Sequence, residues 1–285
     1  MNKITFFIFV SFFLQSCSLA PVQDRQVASY QTCLEMMNSI IQYTPYYGYG
    51  TKSFQTAKSL DALEALYGNE SLIDIQLRLS QAEIKSNNKH VVELLNSELK
   101  LEAIEGKNLK SSEKDAQFIY EALENNYVHK KHDCYDPKGT IGFCFGRATI
   151  AHMEAIVRNT HPGAIRKIWI AGDMGKWGHH VATMIYTVNG WRVLDTNLGK
   201  VVTVDVWLKT YMPMKQGPKD IMVFVTQAGR FGPYDNKPYN AIDLFNTQSE
   251  DYDRAKDFFQ GYFYDYFESL DNIKNKPLIT PKKSI

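Results

Sequence analysis

From Ile165 to Thr226 the chain presents a succession of apolar, β-branched runs broken by turn signals, and this pattern constrains the fold more than any other feature. Ile165 to Ala171 contains Ile168-Trp169-Ile170, and His180 to Val188 is apolar and β-branched. Trp191 to Asp195 follows Asn189-Gly190, the strongest short-range hairpin signal in the chain. Val201 to Val206 and Ile221 to Thr226 supply two further candidate strands. Helices precede this run, so the expected class is α+β with an antiparallel sheet.

Two helices are expected ahead of the strands. Ser111-Ser112 followed by Glu113 to Glu124 reads as a capped helix with Ala116, Ile119, Tyr120 and Leu123 facing inward. A loop holding Asp136-Pro137, Gly139 and Gly142 then delivers the chain to Cys144, and Ala148, Ala151, Ala155 and Ile156 mark a second helix, ended by Asn159 and His161-Pro162-Gly163. Earlier in the chain, Leu60, Leu63, Leu66 and Tyr67 have helical spacing. Leu72 to Ser80 alternates apolar and polar residues and predicts a half-buried strand, while Val91 to Ile104 fits a helix or two short strands. Tyr252, Ala255, Phe259, Tyr262, Phe263, Tyr266 and Leu270 form a helical aromatic stripe, expected to cover the sheet. The expected organisation is a signal segment at 1–16, a small α+β region at 17–110, a catalytic domain at 111–272 and a frayed tail at 273–285.

The first sixteen residues read as an address rather than as part of the fold. Lys3 precedes an apolar run from Ile4 to Leu14, too short to span a bilayer, and Leu14-Gln15-Ser16-Cys17 resembles a bacterial lipoprotein signal. That resemblance implies that Cys17 is lipidated and that the domain is exported and membrane-anchored, with Ser18 pointing to the outer membrane, facing the periplasm or the cell surface. Of the 32 basic residues against 31 acidic ones, removal of Lys3 leaves equal numbers. Such a balance argues against nucleic-acid binding and against polybasic membrane attraction. Export also makes the cysteine count informative: with Cys17 lipidated, Cys33, Cys134 and Cys144 remain, and three cannot all pair within one chain.

A cysteine opening a helix sits where unpaired N–H groups and the macrodipole favour thiolate, the nucleophilic form. Cys144 is so placed, although a buried inert thiol or a disulfide with Cys134 fits the position as well. A thiolate enzyme needs a base and a group to orient it. His180 and Asp195 lie on adjacent candidate strands. A two-residue turn at Asn189-Gly190 would set Met184 opposite Asp195, on the same face as His180 but roughly 13 Å along the strand. Contact between the two therefore requires a bulge or a longer loop. His179 should face the other side.

Taken together, Cys144-Phe-Gly-Arg147-Ala148, Ile168-Trp169-Ile170-Ala171-Gly172, Trp177-Gly-His-His180-Val181-Ala182, Trp191-Arg-Val-Leu-Asp195 and Val202-Thr-Val-Asp-Val-Trp207 resemble the bacterial protein-glutaminase family, a branch of the papain and transglutaminase-like fold. The resemblance covers about residues 113 to 212 and lies in the order of these motifs. The doubled histidine and Gly178 depart from the family's usual segment. It implies Cys144 as nucleophile, His180 as general base and acid, and Asp195 as the residue orienting the imidazole, with Arg147 and Trp177 in packing or substrate contact. The implied reaction is deamidation of glutamine side chains in proteins or peptides through a thioester, releasing ammonia. The same triad would serve a transglutaminase or a cysteine peptidase, and a non-catalytic lipoprotein binding module is the alternative outside enzymes. No cofactor or metal is expected: there is no His-Glu-x-x-His, no Cys-x-x-Cys, and the histidines are scattered. If Cys144 stays reduced, Cys33 and Cys134 are the remaining pair for a disulfide. By its place in the family pattern the N-terminal region is either a pro-segment or a permanent accessory domain.

Overall fold

The computed structural model describes residues 57–68, 70–97, 110–130, 143–158, 160–234, and 262, 263 and 266. Cys17, Cys33, Cys134, the signal segment and the tail lie outside the described residues. The fold is α+β: helices packed on a five-stranded antiparallel sheet.

In chain order the helices are α1 (Leu60–Tyr67), α2 (Leu72–Arg78), α3 (Gln81–Asn96), α4 (Glu113–Asn125), α5 (Tyr127–Lys130) and α6 (Cys144–Val157). The strands β1 (Ile165–Met174), β2 (Trp177–Thr187), β3 (Gly190–Leu194) and β4 (Val202–Thr203) follow, then α7 (Val204–Tyr211) and β5 (Met222–Gln227), in spatial order β4-β3-β2-β1-β5. The helix expected after Ser112 is α4. Ser112 accepts from the Asp115 N–H while Asp115 accepts from Ser112, closing a capping box, and Ala116, Ile119, Tyr120 and Leu123 are buried as their spacing requires.

Three expectations are corrected. The alternating segment at 72–80 is not a strand but α2, capped by Ser71, whose side chain accepts from Asp74. Its buried residues Leu72, Ile75, Gln76 and Leu79 fall at helical spacing, whereas Leu77, on the apolar side of the alternation, is 61% exposed. The segment at 201–206 is strand only at Val202–Thr203; Thr203 then caps α7 by accepting from the Val206 N–H, and Val204, Trp207 and Tyr211 turn inward. The β2–β3 turn is also displaced: Thr187 pairs with Gly190, so the loop residues are Val188 and Asn189. Gly190, at φ 97°, supplies the left-handed backbone that closes the turn, and the Asn189 N–H donates to Thr187 Oγ1.

The segment at 91–104 begins inside α3, whose Ser80–Glu83 capping box sets a start ten residues earlier than the apolar pattern suggests. The helices at 57–97 and the sheet share one hydrophobic core. They also close the free edge of β5. Asn87 Nδ2 donates to the Val223 carbonyl (2.9 Å), Asn88 Oδ1 accepts from the Val223 N–H (2.8 Å), and Glu64 accepts from the Gln227 N–H (2.8 Å). An edge strand otherwise offers these groups to other chains, and burying them unpaired is costly. On the described part of the aromatic stripe, Tyr262, Phe263 and Tyr266 are buried, with Tyr262 edge-on to Phe143 and Phe263 tilted against Phe231.

Helix α6 lies on the sheet through β2. Thr183 Oγ1 donates to the Ala148 carbonyl at 2.6 Å, and the buried Lys167 Nζ reaches Thr149 Oγ1 at 3.4 Å and the Arg230 carbonyl at 2.6 Å. Thr183 and Lys167 are direct partners in the β1–β2 ladder, so this face of the sheet holds the helix at two neighbouring points. The anchor fixes the N-terminus of α6 beside the start of β2.

Candidate active site

Cys144 is the first residue of α6 and carries a free thiol that is only 7% exposed. The residue before it, Phe143, caps the helix without any side-chain acceptor. The N–H groups of the first turn are therefore not satisfied by a capping side chain and face the end of the helix where the dipole favours an anion.

The displaced turn resolves the distance between His180 and Asp195. One step past the Thr183–Leu194 pair, Asp195 falls opposite Ala182, two positions from His180 instead of four, or roughly 7 Å along the strand. Diagonal neighbours at this spacing are within side-chain reach. His180 Nε2 lies 2.7 Å from Asp195 Oδ2, with both residues buried. Bonding through Nε2 leaves Nδ1 as the imidazole nitrogen for the thiol.

Asp195 is itself held from several sides. Oδ2 also accepts from Trp207 Nε1 at 2.8 Å and from the Tyr211 hydroxyl at 2.9 Å, and Oδ1 accepts from the Asn197 N–H at 3.0 Å. Burial alone would raise its pKa, but the His180 hydrogen bond and charge and the two aromatic donors bring it down to about 2. Trp207 and Tyr211 are one turn apart on α7. Sequence reading missed Tyr211 altogether and placed Trp207 just after a strand; the signal available was the Thr203 cap followed by helical 204/207/211 spacing.

Around the imidazole the packing is aromatic. His180 stacks near parallel with Trp177 (centroids 5.7 Å, 22°) and with Trp207 (5.8 Å, 16°), and Tyr211 tilts against it at 4.5 Å. Trp177, 39% exposed, joins this buried cluster to the surface. Arg147 is half-buried in the first turn of α6; burial raises the pKa of Tyr211 and Tyr262, and the Arg147 charge opposes that rise in both.

Burial pushes the Cys144 thiol up, yet hydrogen bonding and charge from His179 and His180 outweigh it and hold the thiol well below its ordinary range. Burial likewise pushes His180 down, while Asp195 and then Cys144 raise it to about 9. Both shifts favour a thiolate–imidazolium pair at neutral pH, the reactive state of a cysteine nucleophile. Beneath the site, burial drives the Lys167 amine well below the usual lysine range, with Cys144 opposing that shift and Arg230 adding to it.

His179 keeps the expected alternation. It pairs with Ala171 in the regular part of the β1–β2 ladder and shares a face of β2 with Thr183, whose hydroxyl bonds the Ala148 carbonyl, so it lies on the side of the sheet that carries α6. His180, on the other face by the same rule, acts on the thiol as well. Just beyond, the β1–β2 register shifts between Ala171 and Met174, where Gly172 and Asp173 oppose the single residue Gly178. Gly172 adopts φ 148°, and a Cβ there would press on Ile221 Cα at 3.2 Å. Such a bulge increases local twist and re-aims nearby side chains.

The structure thus brings together Cys144, His180, Asp195 and Trp177, with Arg147 in the same helical turn as the thiol. Among the described residues no group of three or more His, Cys, Asp or Glu is arranged to hold a metal ion, and no helix is long and apolar enough to cross a membrane. No family model, curated protein or solved structure matches the chain.

Proposed function

We propose that this protein is a thiol-dependent amidohydrolase of the papain and transglutaminase-like kind, deamidating glutamine side chains of proteins or peptides, and that it works from a lipid anchor at Cys17. One observation carries the enzymatic part: a buried free thiol at a helix N-terminus faces an imidazole whose far nitrogen is bonded to a buried carboxylate. A thiol buried for packing alone needs no such partner, and a buried Asp–His pair is costly unless its bonds are satisfied. The nucleophile helix on an antiparallel sheet, with base and orienting acid on the strands beside it, suits acyl transfer.

In this reading the Cys144 thiolate adds to the carboxamide carbon, and the carbonyl electron pair moves to oxygen. The Cys144 backbone N–H is the first donor to that oxyanion. As the oxyanion collapses, the His180 imidazolium gives its proton to the departing nitrogen, so ammonia leaves and a thioester remains. Neutral His180 then takes a proton from water as it attacks the thioester, giving glutamate and restoring the ion pair. Asp195 keeps Nε2 engaged throughout, so Nδ1 carries the traffic.

The test is ammonia release from a glutamine-rich protein, with peptide mapping of the product. Wild type should convert glutamine to glutamate, and Cys144→Ala and His180→Ala should each abolish most of the rate. Incorporation of an added primary amine would assign the protein to crosslinking, and new peptide termini to proteolysis. Ammonia release surviving in Cys144→Ala would refute the nucleophile.

A further inference from the structure

Two imidazoles act on the Cys144 thiol, and Asp195 engages only His180. His180 is committed through Nε2 to the carboxylate. His179, its neighbour in the chain, sits between Trp169 (centroids 6.5 Å) and Tyr234 (6.4 Å, edge-on), and its Nε2 is buried with no hydrogen-bond partner among the described residues. A buried ring nitrogen left unpaired is destabilising. Native structures retain such a group where a ligand, a water or a reaction step uses it.

His179 lies on the face of β2 that carries α6, the face from which Thr183 bonds the Ala148 carbonyl one helical turn after Cys144, and its ring is among the groups that act on the thiol. The acyl-transfer chemistry proposed above lacks one component on the chain's own residues: an oxyanion needs at least two donors, and the backbone of Cys144 supplies one. In the adduct the oxyanion and the sulfur are bonded to the same carbon. A donor beside the sulfur is therefore close to the oxygen as well.

We propose that His179 is a second oxyanion donor, its Nε2–H, unpaired at rest, donating to the substrate oxygen as the adduct forms. The charge moves from sulfur to oxygen as the C–S bond forms, and the donor meets it there without transferring its proton. His180 alone then protonates ammonia. The division of labour has a structural basis: the imidazole bonded to Asp195 is built to gain and lose protons, whereas the one without a carboxylate is built to donate. This inference rests on acyl transfer at Cys144 but not on glutamine as the substrate.

The test compares two small probes on the same thiolate at neutral pH in the full chain. Acylation by p-nitrophenyl acetate passes through an oxyanion; alkylation by iodoacetamide displaces iodide from a saturated carbon and does not. The ratio of the two rates removes any change in the thiolate fraction. It should fall by at least about tenfold in His179→Ala, in line with loss of one oxyanion donor. His179→Phe, which keeps a ring between Trp169 and Tyr234 but no N–H, should fall as far, and His179→Gln, which restores an N–H, should recover part of the loss. An unchanged ratio in His179→Phe, a His179→Gln variant no better than Phe, or a wild-type thiol inert to both probes would overturn the proposal. If the ratios behave as expected while wild type releases no ammonia from glutamine, the donor role stands and the deamidation reading falls.

Discussion

Replacing Asp195 by Asn keeps the shape of the residue but removes the charge that supports His180. In the wild type His180 is lifted from 6.5 to about 9, which corresponds to roughly 3 kcal/mol of differential stabilisation of the imidazolium. Asp195 is the largest raising influence, ahead of Cys144, and burial opposes both. With the carboxylate gone, burial dominates and the imidazole becomes neutral near pH 7. Ion-pair formation with the thiol should weaken by roughly 30- to 300-fold, since each 1.4 kcal/mol is a factor of ten. The assay is the rate of Cys144 alkylation by iodoacetamide from about pH 4 to pH 10, where wild type should react well below the ordinary thiol pKa and Asp195→Asn only as the pH approaches it. The two should also differ in stability. A group whose pKa is raised by folding stabilises fully below its unfolded value and loses that contribution as the pH rises through the folded one. His180 therefore supports the wild-type fold below 6.5 and stops doing so as the pH passes about 9, a loss that Asp195→Asn should not show. Asp195 acts in the opposite direction, stabilising above 3.8 and failing as the pH falls through about 2. An Asp195→Asn alkylation profile within threefold of wild type at pH 6 would refute the reasoning.

Asn87→Ala combined with Asn88→Ala should leave the Val223 N–H and carbonyl unpaired at the edge of β5 and destabilise the protein by about 2–6 kcal/mol in urea unfolding, at about 1–3 kcal/mol per orphaned group. Ile75→Ala should cost about 2–4 kcal/mol by opening a cavity under α2, while Leu77→Ala should change stability by less than about 0.5 kcal/mol. A strand at 72–80 would make those two substitutions alike. Deamidation should decline as the pH rises past about 9, because His180 then lacks the proton that ammonia requires; a rate still rising there would point to a different acid.

Much of the site was legible because it rests on local rules. The Ser112 cap, the helix opening at Cys144 and the strand runs are set by residues close together in the chain. The errors arose where one local pattern admitted two readings. At 72–80 the apolar residues satisfied a period of two, but Ser71 and Asp74 could cap a helix, and exposure of Leu77 with burial of Gln76, which donates to the distant Asp220 carbonyl, decided the matter. At the hairpin, Asn189-Gly190 marked the turn but not which of its residues would pair. That two-position difference is what separates a bonded His180 and Asp195 from a pair too far apart. The edge-closing roles of Glu64, Asn87 and Asn88 left no sequence signal, since each joins residues more than 130 positions apart. His179 follows alternation, but that its face of β2 would carry α6 depended on the Thr183–Ala148 contact between residues far apart in the chain.

The most direct measurement is acid-quench mass spectrometry of the protein turning over a glutamine-containing peptide in water enriched in oxygen-18. Acyl transfer through Cys144 predicts a glutamyl thioester on the Cys144-containing peptide during turnover, and a product glutamate carrying one solvent oxygen. Neither should appear in Cys144→Ala. Solvent oxygen entering the product with no adduct on Cys144, and continuing to do so in Cys144→Ala, would contradict the account.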